Sequence, residues 1–156
     1  MPEGSTDTYK LVEPGDFIIS LRSFEGGLEY SPYRGLVSPA YTVLRAKVPI
    51  CDSFYRHYFK SEDFIGRLAV AVIGIRDGKQ ISYDDFAFLK LPVPDIEEQR
   101  SIASVLDDAE REMKLIAAQI ESLKVEKRTL MAELLNGTRR VKVPSAVSVS
   151  PVKEAT

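Results

Sequence analysis

Apolar and polar positions along this chain follow two different rules. Before residue 95 the apolar groups come in short blocks separated by turn formers. Pro14, Gly15 and Asp16 signal a turn, and Phe17-Ile18-Ile19 behind them predicts a buried strand. Glycine, proline, serine and tyrosine crowd residues 24–39, which predicts an irregular loop or a pair of short strands. Residues 41–45 (YTVLR) are aromatic and β-branched and predict another strand. Residues 53–59 and 63–72 predict helices, the first with Phe54, Tyr55, Tyr58 and Phe59 on or near one face. Ser61-Glu62-Asp63 is placed to cap the second. A polar loop with two glycines follows, then a single helical turn from Ser82 to Phe86. Pro92 and Pro94 force residues 89–94 to be extended.

From Asp95 the period changes. Ile102, Leu106, Ala109, Met113, Ile116, Ile120, Leu123, Lys127, Leu130 and Leu134 alternate in steps of four and three residues. That is an a/d heptad seam, interrupted in character only by Lys127. Asp95 is a fitting N-cap, Glu97 and Glu98 suit the positive end of the helix dipole, and Gly137 suits a C-cap. A helix over 95–136 is roughly 60 Å long, whereas a 95-residue globule is about 25–30 Å across. The seam is therefore expected to outrun its own domain and to need a partner helix, rather than to pack along its own domain. Lys127 reads as a register device, because a cation in a seam needs a matched partner or a snorkelled tip. The expected organisation is α+β: residues 1–94 a small mixed domain, 95–137 a long pairing helix, and 138–156 a flexible tail.

Charge changes this picture little. Residues 1–95 carry 11 Lys+Arg against 13 Asp+Glu, and residues 96–156 carry ten of each. Neither part is a basic arm, so contact with nucleic acid would rest on locally arranged cations. A single cysteine, Cys51, excludes an internal disulfide and fits a reducing cytoplasm. No apolar run approaches the roughly 20 residues that cross a bilayer, and no signal peptide is visible.

Candidate chemistry is sparse. His57 is the only histidine, no nucleophile motif accompanies it, and with one cysteine it leaves no set of zinc ligands. Its aromatic surroundings favour a packing role. The glycines form neither GxGxxG nor GxxxxGK[ST]. Asp84-Asp85 and Asp107-Asp108 read as solvated charges, since neighbours in sequence point apart on a helix. No enzyme and no cofactor are expected. Two loop clusters remain: Arg22, Ser23, Tyr30, Ser31, Tyr33, Arg34 and Ser38, and then Arg76, Asp77, Lys79 and Gln80. Arg and Gln carry the forked donors that read base edges, and Lys, Ser and Tyr hold phosphates.

These features combine into a resemblance. Leu91-Pro92-Val93-Pro94, then Glu98-Gln99, Ile102-Ala103 and Leu106, then the run Lys127 to Gly137, resemble the start and end of the conserved spacer helix in type I restriction-modification DNA specificity subunits. Residues 12–44 and 76–94 look like the later part of a target-recognition domain, and the resemblance covers about residues 9–137. A full subunit of that family has two recognition domains and two spacer helices, whereas this chain has one helix and part of one domain. The resemblance implies a non-catalytic specificity component that recognises a half-site of double-stranded DNA. It implies antiparallel helix pairing that sets half-site spacing, as a homodimer or with another specificity chain, and docking of methyltransferase and restriction subunits that carry the catalysis. DNA-facing groups are then expected at Arg22, Ser23, Tyr33, Arg34, Ser38, Arg76, Lys79 and Gln80. The competing expectation is a coiled-coil oligomerisation module that binds no DNA itself.

Overall fold

The computed structural model describes residues 7–71, 81 and 83–142. Arg76, Lys79 and Gln80, and residues 143–156 of the expected tail, lie outside them. Two compact units divide the chain, residues 1–110 and 111–156. The first is a small α+β unit with two antiparallel sheets. β1 (Lys10–Val12) pairs with β4 (Gly35–Val37), Leu11 opposite Leu36. β2 (Phe17–Ile19) is the middle strand of the other sheet, between β3 (Glu29–Tyr30) and β5 (Thr42–Leu44). All three β2 residues are buried, as a strand covered on both faces requires.

The turn into β2 is built by Gly15, at φ +95°, and by Asp16, whose carboxylate accepts the Glu13 N–H at 2.8 Å. Asp16 is 1% exposed, and its charge is answered by the Arg45 guanidinium beyond β5, at 2.7 and 2.5 Å. Between β2 and β3 lies a four-residue helix, α1 (Ser23–Gly26), where a loop or strands were expected. Gly27 ends it at φ +71°, and a Cβ there would sit 1.9 Å from the Phe59 carbonyl oxygen. The backbone of the next helix thus passes too close for any side chain.

That helix is α2 (Asp52–Tyr58), followed by α3 (Glu62–Ala71). The Ser61 hydroxyl accepts the Phe64 N–H at 3.3 Å and supplies the expected cap. Phe59 centres the core, with the Phe64 ring at 4.8 Å and the Phe17 ring edge-on at 4.9 Å. Ile19, Leu28, Phe54, Tyr55, Leu68 and Ile81 complete it. After α4 (Tyr83–Ala87) the proline-rich stretch runs without regular structure into α5 (Ile96–Leu135). Asp95 caps α5 by accepting the Glu98 N–H at 2.9 Å, and Gly137 leaves it at φ +77°. No helix among the described residues is long and apolar enough to cross a membrane.

Candidate functional site

The described DNA-facing candidates fall on three connections of the first unit. Tyr33 and Arg34 occupy the β3–β4 connection and are 77% and 71% exposed. That connection is shaped by Ser31, whose hydroxyl donates to the Tyr33 carbonyl at 2.7 Å. Arg34 lies 3.3 Å from Glu13, a solvent-exposed pair that costs little to break. Ser38 follows β4, where its hydroxyl accepts the Ala40 N–H at 3.3 Å. Arg22 is exposed at the start of α1. Ser23 is different: it is fully buried, and its hydroxyl accepts the Ser20 N–H at 2.8 Å. It shapes the α1 turn and has no surface to offer to DNA. Its polarity resembles a loop signal, but the hydroxyl is committed to the backbone.

The start of α5 is the more tightly built part. Gln99 is 3% exposed, and both ends of its amide are used. Its Oε1 accepts the Cys51 N–H at 2.9 Å, and its Nε2 donates to the Pro94 carbonyl at 2.8 Å. One side chain thereby joins the first turn of α5, the segment before it and the start of α2. Tyr55 adds a bond from its hydroxyl to the Pro92 carbonyl at 2.9 Å. One turn after Gln99, Ala103 is buried, its small size allowing close helix packing. Another turn on, Asp107 receives the Ser53 hydroxyl at 2.7 Å, the Arg56 guanidinium at 2.7 Å and lies 2.8 Å from His57 Nε2. Arg56 also reaches Glu110 at 2.7 Å.

This corrects the expectation that Asp107 is a solvated charge. The Ser53 hydroxyl, with His57 and Arg56, holds its pKa down to about 2 against the cost of partial burial. Likewise the Arg45 hydrogen bond lowers the Asp16 pKa against its desolvation. His57 is partly buried and stands beside Arg56 in the Asp107 network. His57, Asp107 and Glu110 present ligand atoms within 4.8 Å of one another. Arg56 already supplies the positive charge between the two carboxylates, so the set is complete as a salt-bridge network.

The other face of α5 is bare. Among the seam residues, Met113 is 70% and Leu123 61% exposed, and Ile102, Leu106, Ile116, Ile120 and Leu134 are also exposed. The residues that meet α2 and the core, namely Gln99, Ala103, Asp107 and Glu110, form a stripe beside the seam, not on it. Apart from these, the first unit has an apolar groove of about 220 Å³ between Phe17, Leu44, Ile50, Tyr55 and Phe86. Arg45 and Tyr55 are the ionisable groups that line it among the described residues.

Residues 3–125 match the pattern of the type I restriction modification DNA specificity domain. The chain belongs to this family. The match runs from the first unit through α5 as far as residue 125, so both parts are covered by one family pattern. A protein of Methanocaldococcus jannaschii, whose name provisionally makes it the specificity subunit of the type I restriction enzyme MjaX, is 26% identical over 138 residues. The alignment takes in 85% of this chain and 31% of that protein, so the chain spans just under a third of its relative's length. No solved structure matches the chain. Specificity subunits are non-catalytic. In this family setting the Pro94 and Gln99 positions acquire a physical meaning: they fasten the helix to the recognition domain.

Proposed function

We propose that this chain recognises one half-site of an interrupted DNA target and pairs through α5 with a second specificity chain. The pair would set the distance between half-sites and offer a framework to methyltransferase and restriction subunits. Methyl transfer and cleavage would belong to those partners. What carries the reading is that one specificity-domain match runs from the recognition unit into a helix whose apolar seam is uncovered in the single chain. An apolar stripe of that length is held in water only at a cost, and a partner helix removes it. Two identical recognition units related by a two-fold axis favour a symmetric site.

The DNA-facing set is Arg22, Tyr33, Arg34 and Ser38, with Arg76, Lys79 and Gln80 from the sequence between α3 and α4. The test uses a complex reconstituted with methyltransferase subunits. Arg22→Ala with Arg34→Ala, and separately Arg76→Ala with Lys79→Ala, should weaken DNA binding. Each should also reduce the salt dependence by roughly one unit of slope for every phosphate that is no longer neutralised. Unchanged affinity and slope in both pairs would remove the assignment. Assembly without any sequence-dependent DNA binding would favour the pure oligomerisation module.

A further inference from the structure

The seam of α5 has the same order of steps read from either end, and its two halves differ in charge. Within the helix, residues 96–118 hold six acids and three bases, whereas residues 119–135 hold three of each. We propose that α5 binds a second copy of itself antiparallel in a single register centred on Ala118, with Ala109 of each copy facing Lys127 of the other. The remaining layers are then Ile102 with Leu134, Leu106 with Leu130, Met113 with Leu123, and Ile116 with Ile120. This specifies the pairing proposed above and rests on it.

Three observations select that arrangement. The first is coverage. Sliding the copies by one heptad in either direction leaves Leu130 and Leu134, or Ile102 and Leu106, without a facing layer in each chain. The second is Lys127. The slid registers set its ammonium against Ile102 or Ile116. The proposed one sets it against Ala109, the smallest seam residue, with room for the long side chain to lie along the interface. Glu110 and Glu112 stand on either side of the seam there. Glu112 comes next to Glu126 of the other copy, and the Lys127 ammonium neutralises that pair. On the opposite side Glu110 comes next to Lys124 of the other copy. The third is polarity. An antiparallel pair lays the acidic half of one helix along the charge-balanced half of the other, whereas a parallel pair lays the two acidic halves side by side.

Single cysteines in a Cys51→Ser background read the register directly. In the full chain under mild oxidation, Gln119→Cys should cross-link to itself, because this flanking position meets its own copy beside the axis. Met113→Cys should not cross-link alone, but should do so when mixed with Leu123→Cys. Self-linking of Met113→Cys without linking of Gln119→Cys, in a chain that sediments as a dimer, would overturn the register and leave pairing intact. A monomer throughout would overturn both. A size swap gives an independent readout. Ala109→Leu should weaken self-association about tenfold by overfilling the Lys127 layer. Adding Lys127→Ala should restore it, and Ala118→Leu on the outer face should change nothing. Failure of the double variant to recover would show that residues 109 and 127 do not meet.

Discussion

In the first unit Phe64 and Leu68 are 0% exposed, whereas every residue of α5 from Arg111 to Thr129 faces solvent, the apolar ones included. The two regions use the same residue types for different ends. Burial in the first unit is intramolecular, and its stabilisation is present at any concentration. In the proposed pairing the seam would contribute only once a second helix covered it, so its free energy would follow mass action. Equivalent substitutions should therefore report on different equilibria.

The largest effect on the first unit is expected from Phe64→Ala. It removes a ring packed on Phe59 and should cost about 3–5 kcal/mol, visible as an earlier urea midpoint at low protein concentration. Gln99→Ala comes next. It leaves the Cys51 N–H and the Pro94 carbonyl without their partner, at about 1–3 kcal/mol for an orphaned group. A midpoint unchanged by Gln99→Ala would mean that α5 is not fastened by this amide. Acid should then loosen the same attachment gradually. Asp107 is held near 2 and Asp16 is also lowered, both below the ordinary carboxylate value of 3.8. Their contributions are full above that value and disappear as pH falls through the folded-state values. The urea midpoint of the first unit should drop between about pH 4 and pH 2, and less steeply in Asp107→Asn. The smallest effect belongs to Ile116→Asp with Ile120→Asp. It should leave that midpoint within about 0.5 kcal/mol while abolishing any dependence of assembly on concentration. A clear loss of stability in the dilute monomer would show that the seam is not independent of the first unit.

Much of this contrast was legible in the sequence, for reasons of range. The period of α5, its Asp95 cap and its Gly137 stop are local signals, and so are the β2 run and the Ser61 cap. The β1–β4 pair was not legible, since it joins residues about 25 apart and turns Leu11 and Leu36 outward. The four-residue α1 gives no periodic pattern and ends in two glycines. Asp107 misleads when it is paired with its neighbour Asp108. At helical spacing it belongs instead with Gln99, Ala103 and Glu110, a stripe that could have been found beside the seam. These contacts are why the first compact unit extends to Glu110 and takes in the first part of α5. Of the DNA-facing candidates, Tyr33 and Arg34 are exposed as a reader of DNA must be, while Ser23 shows that loop-like composition does not imply an accessible side chain.

The Gln99 amide also imposes an order in time. A chain emerges from the ribosome N-terminus first, so α2 is made well before the side chains that complete it. Until residues 99–110 have cleared the exit, the Cys51 N–H lacks Gln99, Ser53 and Arg56 lack Asp107, and the core lacks Ala103. The first unit gains these contacts only after the first turns of α5 have been synthesised. A nascent chain thus completes these contacts of its first unit only when α5 has already begun to form.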